Sequence, residues 1–322
     1  FTEVENMSIF LIVVLVYIIL AYIALKYPHI LHPIKPELKK RSKRFTKWYM
    51  VHRGGSAEKP ENTLDAHLNS YNKGCDILEL DIVPSKDNVP VVAHDNNLTR
   101  LTGKNLRIRD LNFNELPNYL PSFSSHFLPE ASTFSEKTYK FAALEEIFQN
   151  CPDVYINIDV KIATPEMIEN LKKLIEKYNR EELTIIGSSK QKLAESLRKA
   201  VPGAFTFMSM RKVLIVYLSY LIGFIGFIKI TEDFMDVPIM TPEFINLKKQ
   251  EMGKFRAFCY TAFVKFFVSI SKPLNIHLRK RGIKVLYWTL NTEEEFNYAF
   301  SKECDGVITD KPDLITQYFE KH

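Results

Sequence analysis

The sequence predicts an α/β protein: a (β/α)8 TIM barrel with an N-terminal transmembrane helix and an apolar, membrane-associated insertion. Three observations lead there. From Trp48 onward, short runs rich in β-branched and aromatic residues alternate with helical patterns, which argues for parallel strands joined by crossover helices. The polar residues best suited to chemistry, His52, Asp81, Asp159 and Asn291, fall at the C-terminal ends of such runs, where barrels of this kind build their sites. Ahead of all this, residues 9–25 form an unbroken apolar run.

That first run is 17 residues long and would span about 26 Å as a helix, close to bilayer thickness once Ser8 and Lys26 are included. A secretory signal would carry positive charge before the run. Here Glu3 and Glu5 precede it, and Lys26, Lys35, Lys39, Lys40, Arg41, Lys43, Arg44 and Lys47 follow it against a lone Glu37. The pattern reads as an uncleaved anchor (residues 1–28), a basic juxtamembrane linker (29–47) and a catalytic domain (48–322). Its charge asymmetry puts the domain in the cytosol, on the endoplasmic reticulum or another endomembrane. The sequon Asn97-Leu98-Thr99 lies three residues after His94, where a glycan would crowd the candidate site, in keeping with a cytosolic domain.

Strand patterns fall at 48–52, 77–82, 89–93, 154–160, 183–186, 204–208, 237–240, 284–290 and 305–308; helical patterns fall at 63–73, 144–149, 164–178, 190–199 and 293–302. Nine strands suit an eight-stranded barrel plus one local hairpin strand, assigned to 89–93. An open doubly wound sheet is the alternative, without a Gly-rich dinucleotide turn to support it. Two insertions interrupt the alternation. Residues 112–140, with Pro117, Pro121 and Pro129, read as a long loop, and residues 211–272 carry two apolar segments. The first, 213–228, is short for a span, and a true crossing would divide the barrel between two sides of the membrane. It is expected to lie in one leaflet as a helix or hairpin. The second, 255–276, mixes Phe, Tyr and Val with Arg256, Lys265 and Lys272 and reads as a basic amphipathic helix on a membrane surface. The alternative for both is that they simply pack on the barrel.

Composition narrows the function. A 322-residue chain with 46% apolar and 25% charged residues is globular, and a net charge of +5 gives no polycation for nucleic acid. Four cysteines show neither close pairing nor zinc-type spacing, so buried free thiols are expected.

The chemistry concentrates in a few stretches. His52-Arg53-Gly54-Gly55 puts an imidazole, a guanidinium and two glycines at one strand end, a grouping suited to a phosphate because Arg offers forked donors and glycine lets the backbone come close. Glu79 and Asp81 alternate on one strand, so both point the same way and can grip one hard cation, Mg2+ or Ca2+. Asp159, at the end of another strand, could close that site. Glu61 either ligates the same cation or fixes the His52–Arg53 loop. His52 and His94 are the acid–base candidates. Arg53 and Lys161 would stabilise charge at phosphorus. Asn62 or Thr63 would cap the following helix, Trp288 and Asn291 would wall the substrate pocket, and Asp310 would organise loops.

These stretches resemble one family in order. His52-Arg53-Gly54, Pro60-Glu61-Asn62-Thr63, Glu79-Leu80-Asp81, His94-Asp95, Asn157-Ile158-Asp159-Val160-Lys161, Trp288-Thr289-Leu290-Asn291 and Gly306-Val307-Ile308-Thr309-Asp310-Lys311-Pro312 are similar to the motifs of the glycerophosphodiester phosphodiesterases. With the apolar N-terminus, the chain looks nearest to the small membrane-anchored members that act as lysophospholipases D. The resemblance implies that a substrate hydroxyl attacks phosphorus and that water then opens a cyclic phosphate. His52 would take the hydroxyl proton and His94 would protonate the leaving alcohol. The expected substrate is a lysophospholipid and the products lysophosphatidic acid and the headgroup alcohol. A diesterase for soluble substrates such as glycerophosphocholine and a silent phospholipid-binding module are the alternatives. Most family members carry Glu where this chain has Asp159, one methylene shorter. No nucleic-acid partner is expected, and the oligomeric state is open.

Overall fold

The structure, a computed structural model, describes residues 2–32, 48–128, 131–134 and 137–321. Most of the basic linker, and with it most of the charge asymmetry behind the cytosolic assignment, lies outside the described residues.

Eight parallel strands form the barrel: β1 (Trp48–Val51), β2 (Ile77–Pro84), β3 (Tyr155–Val160), β4 (Thr184–Gly187), β5 (Phe205–Thr206), β6 (Phe234–Pro238), β7 (Lys284–Trp288) and β8 (Gly306–Thr309). They pair in the order β6-β7-β8-β1-β2-β3-β4-β5, and a bridge between Phe207 and Phe234 joins the two ends into a ring. The strand Pro90–Val92 pairs antiparallel with β2, as the hairpin expectation held. Crossover helices cover the outside: α2 (Leu64–Asn72), α3 (Leu144–Asn150), α4 (Pro165–Lys177), α5 (Gln191–Ala200), α6 (Met210–Leu221), α7 (Pro242–Met252), α8 (Lys254–Ser269), α9 (Ser271–Lys280), α10 (Glu293–Ser301) and α11 (Pro312–Lys321). Period-2 alternation explains the two cores. Inward residues such as Trp48, Met50, Ile77, Tyr155, Phe205 and Phe234 fill the barrel, while Val51, Leu78, Leu80, Ile156 and Ile158 pack outward against helices.

Two sequence-based boundaries move. β6 begins three residues before the expected 237–240, because inward-facing Asp236 breaks the apolar run that marked the strand. The segment 255–276 is two helices, not one basic amphipathic helix. It breaks at Ile270, and Pro273 sits in the first turn of α9, where its missing N–H costs nothing. Nor is α8 apolar on one face alone: Val264, Phe267 and Val268 are buried, while Phe255 and Phe258, 80% and 70% exposed, point outward with Phe263 and Phe266. In the other apolar segment, α6 buries Val216 and Tyr217 on the barrel and exposes Leu214, Ile215, Leu218 and Leu221.

The N-terminal helix α1 (Thr2–Lys26) is long and apolar enough to cross a membrane, with mean hydropathy 3.0 over Glu5–Lys26. It is docked on the barrel domain. Tyr17 Oη donates to the Ile222 carbonyl at 2.6 Å, and His277 Nδ1 lies 3.2 Å from the Leu25 carbonyl. Gly226 sits so close to Ala24 that an added Cβ would fall 2.5 Å from the Ala24 Cβ. Arg281 holds that loop by donating to the Ile225 and Ile228 carbonyls at 3.0 and 2.8 Å.

Candidate active site

The loop after β1 is shaped by backbone that few residues accept. Arg53, Gly54 and Gly55 all have positive φ, and a Cβ on Gly54 would lie 2.9 Å from the Ala66 Cβ and the His67 nitrogen. This turn presses onto α2 and presents His52 and Arg53 to the barrel mouth. His52 Nδ1 meets Asp310 Oδ1 at 2.8 Å, which leaves Nε2 for chemistry. Asp310, from the end of β8, is itself held: Ser56 Oγ donates to Oδ1 at 2.5 Å and Asn291 Nδ2 to Oδ2 at 2.9 Å. Burial alone would lower the His52 pKa, but the Asp310 carboxylate outweighs it and holds the imidazole above its ordinary value.

Arg53 is a hub. Its backbone N–H donates to Glu79 Oε2 at 2.8 Å, its Nη1 to Glu61 Oε1 at 3.0 Å, and its Nε stands 3.2 Å from Asp81 Oδ2. Arg100 takes both Glu61 oxygens at 2.7 and 2.9 Å, so of the two roles open to Glu61, cation ligand or support of the His52–Arg53 loop, these contacts favour the second. Two guanidinium groups outweigh burial and hold its carboxyl far below the usual range. Thr63 Oγ1 caps α2. Asn62, expected to be structural, instead donates to Asp81 Oδ2 at 3.1 Å.

The cup is built by register. Glu79 stands beside Asn157 and Asp81 beside Asp159 on β2 and β3, all facing inward. Lys161 Nζ spans the upper pair, 2.7 Å from Asp81 and 2.5 Å from Asp159. Burial would raise the Asp81 pKa, but Lys161 and Arg53 outweigh it and keep the carboxylate well below its normal range. Glu79 goes the other way, to about 7, because burial and the adjacent Asp81 both disfavour its charge. Asp236 on β6 also faces in, pushed to about 7 by burial and then by Glu79 and Asp159. Buried carboxylates crowded this way are costly unless positive charge joins them. Asp159 Oδ1, Asp236 Oδ1 and Asn157 Oδ1 are all buried with no donor among the described residues. The donor set is all oxygen, so the residues present fit a hard divalent cation.

His94, on the loop after Pro90–Val92, bonds Asp95 through Nδ1 at 2.7 Å, and Asp95 is anchored by Arg100. Burial and the nearby Arg53 charge lower its pKa. His126 was not anticipated. Its ring lies 5.0 Å from that of His94, its Nδ1 is 3.1 Å from Arg53 Nη1, and burial with the two arginines takes its pKa down to about 3. Potential ligand atoms of His94, Asp95 and His126 lie within 4.8 Å of one another. That set is nitrogen-rich and faces two arginines, so it suits Mg2+ or Ca2+ less well than the carboxylate cup. Phe127 follows, packing edge-on to His52 at 5.3 Å and to Trp288 at 6.1 Å. Asn291, expected to wall the pocket, turns away to Asp310 and Thr309, and Trp288 with Phe127 and Phe244 forms that wall.

These groups open into a cavity of about 570 Å³. Its deep end is polar. The remainder runs between α6, α7 and α8 and is mainly apolar, lined by Val213, Tyr217, Phe244, Val264, Phe267 and Val268, with Arg211, Lys248 and Glu251 also on it.

A parallel (β/α)8 barrel with two histidines, an arginine, a lysine and a carboxylate cup at the C-terminal strand ends has the make-up of a phosphoric diester hydrolase. The sequence profile of the glycerophosphoryl diester phosphodiesterase family matches residues 52–314, and the chain belongs to that family. The human lysophospholipase D GDPD1 is 33% identical over 302 residues, 94% of this chain and 93% of that protein. Human lysophospholipase D GDPD3 is 33% identical over 299 residues, 92% of this chain and 90% of that protein. Among solved structures, a glycerophosphodiester phosphodiesterase from Thermotoga maritima aligns with a TM-score of 0.56 at 25% identity, covering 84% of this chain and 97% of that one. A putative family member from Silicibacter pomeroyi aligns with a TM-score of 0.62 at 18% identity, covering 86% and 94%, which bears on the fold alone.

Proposed function

We propose that this is a membrane-anchored, cation-dependent lysophospholipase D, hydrolysing lysophosphatidylcholine, lysophosphatidylethanolamine or N-acyl lysophosphatidylethanolamine to lysophosphatidic acid and the headgroup alcohol. One observation carries it. The polar cup and the apolar channel are a single cavity, so a phosphodiester at the cup can keep one acyl chain in the channel. The exposed faces of α6 and α8, beside the docked α1, would rest in the same leaflet that holds the substrate. The domain would face the cytosol from an endomembrane.

In the proposed reaction the free glycerol hydroxyl attacks phosphorus, the bond to the headgroup oxygen breaks, and water later opens the cyclic phosphate. A Mg2+ or Ca2+ ion held by Glu79, Asp81 and Asp159 would supply positive charge to the phosphoryl oxygens. Arg53 and Lys161 are pinned by carboxylates and so are pre-positioned to oppose that same charge. His52 and His94 move the protons. Their pKa values are displaced apart, His52 up and His94 down. A raised pKa also strengthens His52 as a base, which supports the division the family resemblance implies: His52, steered by Asp310, takes the hydroxyl proton, and His94 delivers one to the leaving alcohol. Trp288 and Phe127 would hold the glycerol, and Asn291 acts through Asp310.

The test is headgroup release from long-chain lysophospholipid with and without EDTA, beside glycerophosphocholine as the soluble substrate. Cation-dependent release from lysolipid is expected. Filling the channel with Val264→Trp should cut long-chain turnover roughly tenfold or more while sparing glycerophosphocholine. Turnover of glycerophosphocholine alone would instead identify a soluble-diester enzyme, and silence on both a binding module.

A further inference from the structure

Resting on that cation reading, we propose that Asp236 completes the cation's oxygen shell, closing it from the side of the barrel opposite β2. In the ring order, β6 is four strands from β2 in either direction, so Asp236 reaches the axis from the far wall while Glu79 and Asp81 reach it from the near one. The chain needs such a closure. Asp159 is a short side chain, and Lys161 already draws its Oδ2 towards the rim.

The inward carboxylates differ in what neutralises them. Asp81 has Arg53 and Lys161, Asp159 has Lys161, and Glu79 accepts the Arg53 backbone N–H. Asp236 has no cation and no donor among the described residues, and its Oδ1 is fully buried. A second observation points to a ligand at the same level of the barrel. Asn157 is 3% exposed, lines the cavity beside Glu79 and also has an unpartnered side-chain oxygen. Orphan oxygens on β3 and β6 facing one space give a hard cation the extra ligands it takes directly or through water. A fourth carboxylate also enlarges the site's negative charge, compensating for Lys161 at its edge.

The full chain in detergent micelles would be titrated with Mn2+, following free Mn2+ by electron paramagnetic resonance, with thermal unfolding measured alongside. Asp236→Asn should raise the Mn2+ dissociation constant at least about tenfold, and Asp236→Glu should lose less. Without cation, Asp236→Asn should unfold at a higher temperature than the wild type, because it removes a carboxyl group crowded by Glu79 and Asp159, yet gain less from added Mn2+. That opposite pair of shifts would not come from a misfolded variant. A wild-type dissociation constant in Asp236→Asn, with an undiminished Mn2+-induced shift, overturns the inference while leaving the cup intact. Failure of the wild type to bind one Mn2+ overturns it together with the cation reading.

Discussion

Asp81→Asn is expected to abolish cation-dependent turnover, by at least about a thousandfold, without dissolving the barrel. Asp81 is where the site's parts meet, within reach of Arg53, Lys161 and Asn62 and in register with Asp159. Losing its charge removes one arm of the cup and relaxes the lysine that would face the phosphoryl group, and contributions of this kind are worth about 10²–10³ each. Removing one partner of a buried ion pair usually costs about 3–5 kcal/mol. Here Arg53 keeps Glu61 and Lys161 keeps Asp159, so the loss of stability should fall below that range. Steady-state turnover across a Mg2+ or Ca2+ titration, with thermal unfolding of the same preparation, checks both halves. Substantial turnover that still rises with added cation would remove Asp81 from the cation's ligands.

Asp310→Asn should lower kcat by about 10²–10⁴, the range of a mispositioned acid–base group, and should also move one limb of the pH profile. The sign follows from the charge. Asp310 holds the His52 pKa above its ordinary value, so its neutralisation lets His52 lose its proton at lower pH. If His52 is the acid, it works only while protonated, and the alkaline limb of kcat/KM shifts to lower pH. If His52 is the base, the acid limb shifts instead. The profile therefore decides which of the two protons His52 moves. Movement of neither limb would take His52 out of the proton transfers altogether.

The barrel was legible because its signals are local. Alternating apolar residues at 77–82 and 154–160 mark strands, and the polar residues alternating with them, Glu79 and Asp81 in one and Asn157 and Asp159 in the other, mark an inward polar face. Asp236 shows the limit of that logic. Being polar and inward, it interrupted the pattern used to find its strand, and the boundary moved past it. The rest depended on chain segments far apart. His52 and Asp310 are 258 residues apart, and nothing local to Asp310 says that it steadies an imidazole. His126 and Phe127 lie in a Pro- and Ser-rich insertion with no periodicity to read, and only the fold returns that loop to Arg53. Glu61 was ambiguous for another reason. A buried carboxylate needs positive charge, and the sequence could not say whether that would be a cation or the arginine 39 residues away.

The contacts between α1 and the 222–228 loop change what an anchor means here. Tyr17 and Ala24 seat the helix on the same insertion that walls the cavity, and Leu25 meets His277 just beyond it, so on the membrane reading proposed above the anchor would be a mooring rather than a leash. On the membrane seat proposed above, the cavity's height and tilt at the lipid surface are then set by the fold. With lysolipid as the proposed substrate, its supply would be a two-dimensional matter: the relevant concentration would be the mole fraction of lysolipid in that leaflet, and lipid added elsewhere would dilute nothing the enzyme could reach.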